Sequence, residues 1–213
     1  MRTILILLIL CISGFNSIAQ NDSLSAMEEI ATFQKELNDE FRNPKESPLE
    51  PGEIKTFRGH DFFPVDLTFR VDAKLTLTEG APFLLMKTTT AKLNADRVYG
   101  FIEFELKGRQ FRLPVYQSER LMKTSEYADY LFFPFTDLTN GEQTYMGGRY
   151  IDLRIPKGDE IVIDFNRAYN PFCAYNGKYS CPLVPAKNQM DIAVPVGVKY
   201  VEKMEIKKKE RGR

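Results

Sequence analysis

The sequence predicts a mainly-β protein, an antiparallel β-sandwich or partly open β-barrel, with one amphipathic helix at its N-terminal end. Short runs of alternating apolar and polar residues recur along the chain, separated by turn formers. None of them alternates with a long helical pattern, which argues against a parallel α/β sheet. Phe and Tyr are abundant (16 and 10) and Trp is absent, a composition suited to a sheet-rich core. At 213 residues the chain fits one domain with a sizeable core better than two small ones.

Residues 1–19 read as a signal peptide. Arg2 gives a positive start, residues 4–12 are apolar, and Ser17-Ile18-Ala19 is a small-x-small cleavage site. Cleavage after Ala19 is expected, and with it export to the periplasm or cell surface. The apolar run is too short to cross a bilayer, so no transmembrane span is expected in the mature chain. Cys11 offers a lipoprotein alternative, but Leu10 stands where a small residue is needed.

Residues 20–44 form the helical segment. Across 23–41, Leu24, Met27, Ile30, Leu37 and Phe41 fall on three- and four-residue steps, with polar Gln34 in one gap. Ser25-x-x-Glu28 has the form of a capping box, and Asn43-Pro44 ends the helix. Residues 45–53, with Pro48, Pro51 and Gly52, read as a linker.

The rest, 45–213, reads as a single mainly-β domain. Leu67, Phe69 and Val71 alternate with polar neighbours, as do Ala73, Leu75 and Leu77, before a turn at 79–82. Residues 83–90 form another strand. In 98–106, Val98, Gly100, Ile102, Phe104 and Leu106 share one face and Tyr99, Phe101, Glu103 and Glu105 the other. Lys107-Gly108 turns that strand into 110–116, the clearest hairpin. Residues 127–135 read as a buried strand, Asn140-Gly141 as a turn, and 150–155 and 160–165 as two more strands. Residues 190–196 suggest one further strand. Lys207 to Arg211 is a basic tail, read as solvated, with attraction to an anionic envelope surface as the alternative.

Function is confined first by exclusion. Acidic and basic residues balance at 29 each, so no global field points to nucleic acid. The one histidine, His60, rules out multi-histidine metal sites and the H-E-x-x-H pattern, and no metal site is expected. There is no G-x-S-x-G elbow, and Gly141, Gly147 and Gly148 lack the P-loop Lys-Ser/Thr pair. No cofactor is indicated.

The densest stretch is 164–188, rich in turn formers, rings, hydrogen-bonding side chains and two cysteines. It reads D-F-N-R-A-Y-N-P-F-C-A-Y, then Y-S-C-P and P-x-x-N. Further pieces are F-R-G-x-D-x-F-P-V-D at 57–66, T-T-T at 88–90, L-F-x-P-F-x-D at 131–137 and G-x-x-T-Y-x-x-G-R-Y at 141–150. In these pieces the chain resembles a bacterial family, domain of unknown function 1684. The resemblance covers most of the chain beyond the helix and brings no assigned reaction with it.

Within that stretch Asp164, Asn166, Arg167, Tyr169 and Asn170, joined by Arg149 at a strand start, are the candidate ligand-binding residues. A guanidinium among amides and phenols suits a small polar or anionic ligand, because Arg grips carboxylate or phosphate in two-pronged fashion. The same residues equally suit a brace, with Arg167 paired to Asp164 or Asp137. Export permits a Cys173–Cys181 disulfide, the favoured reading over a thiolate metal site or a reactive thiol. Were Asn176-Gly177 a two-residue hairpin turn, Cys173 would face Ser180 instead, so a bridge requires the loop to depart from that hairpin.

Three functions remain in competition. The first is an exported domain that binds a small ligand or an envelope protein through 164–188. The second is an envelope hydrolase with Cys173 or Ser180 as nucleophile, His60 as base, and Asp61 or Asp164 as orienter. The third is a purely structural module.

Overall fold

A computed structural model describes residues 2–200, with side chains described from Asp22 onward. The expected basic tail and the side chains of the expected signal segment lie outside this set. Seven strands form one curled antiparallel sheet with the character of a half-barrel, and one main helix packs on it. The strands are β1 (Arg70–Leu77), β2 (Leu84–Lys87), β3 (Leu93–Leu106), β4 (Arg109–Ser118), β5 (Tyr130–Phe135), β6 (Arg149–Arg154) and β7 (Glu160–Asp164). Their order is β6-β5-β4-β3-β1-β7, with β2 also beside β3.

The long strand β3 organises the sheet. One edge pairs with β4 along nearly its whole length; the other is shared between β2, at 93–96, and β1, at 100–103. A bulge at Val98/Gly100 separates the two halves. A Cβ at Gly100 would lie 2.6 Å from the Thr76 carbonyl oxygen, so only glycine permits this approach. The β3–β4 turn places Lys107 and Gly108 at φ 51° and 74°, the double positive φ of a tight hairpin.

The expected alternation is observed. Ile102, Phe104 and Leu106 join Leu113, Val115, Leu131, Phe133 and Ile163 in the core. Phe132, Tyr116 and Tyr150 point to the opposite face and make a separate small cluster. Strand β5 is therefore buried on both faces, which explains its unbroken apolar run.

The sheet does not close on itself, and its edges are β6 and β7. The segment after β7 spans the gap. It forms a 3₁₀ turn, Phe165–Arg167, and then Tyr169 exchanges two backbone hydrogen bonds with Tyr150 on β6, at 2.9 and 3.0 Å.

Several expectations need correction. The helix α1 (Arg2–Arg42) runs unbroken through Ser25, so Ser25-x-x-Glu28 lies in its interior and caps nothing. Its buried stripe is Ala26, Ile30, Leu37 and Phe41, with Phe33 partly covered. Leu24 and Met27, rotated off that stripe, are exposed. Burying Ile30 and Phe41 contributes about 1.5–3 kcal/mol each to holding the helix on the sheet. The expected linker contains a short helix, α2 (Pro51–Thr56), with Pro51 at its first position and Glu50 and Glu53 forming a capping box.

Residues 190–196 are not a strand, although Met190, Val194 and Val196 are fully buried. Their backbone is held by Arg149 and Asp137. The Arg149 guanidinium donates to Asp137 Oδ2 at 2.8 Å, to the Val194 carbonyl at 2.8 Å, and to the Val196 carbonyl. Asp137 Oδ1 in turn accepts from the Thr139 and Val194 amides. Met190 and Ile192 keep backbone hydrogen bonds to Thr136 and Leu138, and at 194–196 the ion pair stands in for the ladder that a strand would have supplied.

Both side chains of this pair are fully inaccessible. Asp137→Ala is expected to cost about 3–5 kcal/mol, because it strands a buried guanidinium. Replacing both partners by apolar residues should cost less than the two single changes combined. Urea unfolding of the three variants checks both statements; a loss under 1 kcal/mol for Asp137→Ala would contradict the first.

Candidate functional site

Strand β6 alternates across the sheet. Ile151 and Leu153 enter the core, and Tyr150 and Asp152 face the other way, beneath α1. Asp152 Oδ1 accepts hydrogen bonds from the hydroxyls of Tyr130 on β5 and Tyr169 on the closing segment, each at 2.7 Å. Oδ2 makes no hydrogen bond among the described residues. Asp152 is an exposed residue, yet the protein packed around its carboxyl raises its pKa, against the opposing pull of the two phenols and of Arg167 and Arg154.

Between Asp152 and α1 lies a cleft of about 610 Å³. Phe33, Glu36 and Glu40 of α1, with Glu46, form one wall, and Tyr169, Tyr179 and Ser180 belong to the other. Burial raises the Glu40 pKa, reinforced by repulsion from Glu46 and Asp152. Four carboxylates therefore face this space, and no Lys, Arg or His among the described residues lines it. A second lobe of about 550 Å³ shares Tyr150, Tyr169, Ser180 and Pro182 with the first. It contains Asp96, a buried residue whose Oδ2 has no hydrogen-bond partner and whose carboxyl is pushed up to about 6 by burial.

Of the six residues predicted for ligand binding, Tyr169 alone lines the large cleft. Arg149 is buried in its ion pair. Asp164 pairs with Arg70 at 3.0 Å, and caps the Phe165–Arg167 turn by accepting from the Asn166 amide. Asn166 exchanges hydrogen bonds with the backbone N–H and C=O of Asp66, both at 3.0 Å, and so acts as a strand partner for a residue 100 positions away. Asn170 donates to the Tyr175 hydroxyl at 3.1 Å. Arg167 pairs with neither Asp164 nor Asp137 as expected. Its guanidinium lies over the Phe33 ring at 5.4 Å, beside a small cavity of about 140 Å³.

The nucleophile candidates are not assembled with a base. Ser180 Oγ sits 2.7 Å from both Thr88 Oγ1 and Thr90 Oγ1. His60 packs edge-on against Phe41, Phe57 and Tyr175, its Nδ1 is 2.9 Å from Asn38 Oδ1, and its Nε2 has no hydrogen-bond partner. Asp61 lies 3.5 Å from the Lys199 ammonium.

The expected disulfide is also corrected, since Cys173 and Cys181 are free thiols. The loop departs from the hairpin because Phe172–Ala174 is a 3₁₀ turn, which directs the Cys173 amide onto Cys181 Sγ at 3.2 Å. Donation from the Cys181 thiol, helped by Thr89 and Tyr145, draws the Cys173 thiol down to about 6 and raises Cys181. The pair thus loses a first proton readily and a second with difficulty.

Residues 55–199 match the family described as Protein of unknown function (DUF1684). The chain belongs to this family. A solution NMR structure of an uncharacterized protein from Haloarcula marismortui is 32% identical, with a TM-score of 0.67 over 84% of this chain and 97% of that one. No curated protein matches the chain. Two of the sequence pieces on which the resemblance was drawn meet at the cleft: Thr88–Thr90 hydrogen-bonds Ser180, the Tyr179 carbonyl and the Cys181 amide. The helical wall with Phe33, Glu36, Glu40 and Glu46 lies outside the residues matched to DUF1684.

Sequence reasoning missed Tyr130, Asp152, Asp96 and Glu40. Asp152 gave the one available signal, a carboxylate within an apolar strand. Nothing in the spacing showed that its face looks onto the helix.

Burial, with a smaller contribution from Arg42, lowers the His60 pKa from 6.5 to about 4. The unfolded ring takes a proton at a higher pH than the folded one. Stability contributed by the neutral ring is complete above pH 6.5 and falls as the pH drops towards 4. The urea midpoint of the native chain should therefore decline more steeply across that window than that of His60→Gln; parallel curves would rule out a buried neutral imidazole.

Proposed function

We propose that this DUF1684 protein is an exported domain that holds a small polar ligand in the cleft beneath α1. One observation carries the reading, the Tyr130–Asp152–Tyr169 cluster. One oxygen of this carboxylate is held by two phenols and the other is open to the cleft, the arrangement of a charged recognition group. Asp152 supports no core contact, because its side chain points away from the core face of β6. As a recognition group it is already positioned, and the cleft volume falls in the usual range of small-molecule sites.

The 164–188 stretch keeps a part in this reading through Tyr169 and Ser180, which line the cleft, while Asp164 and Asn166 hold that wall in place. The hydrolase alternative finds less support. His60 serves the aromatic packing under α1, and Ser180 is engaged by two threonines. Export rests on the N-terminal pattern of residues 1–19, whose removal after Ala19 would leave the helical wall of the cleft intact.

A fragment screen by two-dimensional NMR tests the binding reading. Hits should perturb Tyr150, Tyr169, Ser180 and their neighbours together, and Asp152→Asn should weaken most of them by tenfold or more. Perturbations that avoid this group would overturn it. Intact-mass analysis of protein secreted by a native-like host tests export: the expected mass begins at Gln20. The same spectrum reads the thiols, since a further loss of two hydrogens would show that Cys173 and Cys181 close into a bridge in that compartment.

A further inference from the structure

We propose that the ligand is a linear diamine or polyamine, with one ammonium group held at Asp152 and another reaching Asp96. This inference rests on the binding reading above and names the chemistry of its ligand.

Two independent observations lead to it. In the larger lobe, Glu36, Glu40, Glu46 and Asp152 face one space that no basic side chain lines, although Arg167 and Arg154 lie near enough to Asp152 to attract it from outside the lobe. Rings of Phe33, Tyr150, Tyr169, Phe172 and Tyr179 line the same space. Such a lining repels anions and is not needed for neutral sugars. It suits a cation carried on an apolar chain, with carboxylates for the charge and ring faces for the methylenes and the ammonium.

The second observation lies in the adjoining lobe. Asp96 is 7% exposed; Ser118 hydrogen-bonds its carboxyl and Arg120 attracts it, but its Oδ2 has no donor. A buried carboxylate oxygen without a partner is unfavourable, and a donor on a ligand would relieve it. The basic residues lining this lobe sit at its rim: Arg120 is exposed, and Lys123 is paired with Glu119 at 2.9 Å.

Sheet geometry fixes the span. Asp96 pairs with Ser118 on β4, Tyr116 with Phe132 on β5, and Phe132 with Asp152 on β6. Asp96 and Asp152 therefore lie on the same face, three strand spacings across and two residues along, or roughly 16 Å apart on a flat sheet. Tyr150 and Tyr169 stand between, shared by both lobes. Anchors this far apart, with rings at the waist, match a ligand with ammonium groups at its ends and methylenes between them.

Titration of the full mature chain with spermidine at low ionic strength, read by calorimetry and by NMR, tests this. Choline and N-acetylglucosamine serve as single-cation and neutral comparators. Saturable spermidine binding is expected, at least tenfold tighter than choline. Asp152→Asn and Asp96→Asn should each weaken it tenfold or more while retaining a cooperative melting transition. If spermidine binds but neither substitution matters, the contact is diffuse surface attraction and the proposal fails. If N-acetylglucosamine perturbs the cleft residues and spermidine does not, the polyamine assignment fails while the binding cleft stands. If neither probe nor any fragment perturbs the cleft, both readings fall.

Discussion

The structure depends on how an open antiparallel sheet is kept from exposing its last two edges. Strands β6 and β7 stop short of pairing, and unpaired backbone groups at such a position cost about 1–3 kcal/mol each when water is excluded. The chain supplies a substitute immediately after β7. Asp164 folds back as a cap, Asn166 pairs with the backbone of Asp66, and Tyr169 completes a two-bond bridge to Tyr150. The later segment 194–198 is drawn in beside it, with Val198 donating to the Ala168 carbonyl and Arg149 holding Val194 and Val196. An irregular strip thus does the work of a strand, using side chains where a ladder would have used backbone.

That substitution accounts for what could be read in the sequence. Strands β3 and β4 were legible because each residue choice had a single cause, burial on one face or exposure on the other. The stretch 164–188 stood out for the opposite reason: its composition matched no element, so each unusual residue had to be serving something specific. What it served was not legible. Asn166 pairs with Asp66 across a hundred positions, and Arg149 with Asp137 and the 194–196 backbone. Long-range partners of this kind leave no periodic trace.

The same limit hid the cleft. Asp152 and Tyr130 occupy outward positions that, in a one-layer sheet, would be ordinary solvated residues. Their meaning changes only because α1 crosses over them and brings Phe33, Glu36 and Glu40 opposite. The helix was legible as amphipathic, yet its stripe was rotated from the expected one, with Ala26 and Phe33 inward and Leu24 and Met27 outward. That rotation turns Glu36 and Glu40 onto the cleft rather than into open water.

Stability and recognition divide the molecule along this line. Among the polar groups that hold the fold, Asp164, Asn166 and Asn188 find protein partners, while Arg149 Nε, Asn170 Oδ1 and His60 Nε2 are buried without one. Asp96 keeps a bare oxygen, and Glu40 and Asp152 are desolvated and mutually repulsive. These three carboxyls all have their pKa raised by desolvation. Their common feature is that each would gain from one incoming positive donor, and they line two neighbouring cavities that share Tyr150, Tyr169, Ser180 and Pro182.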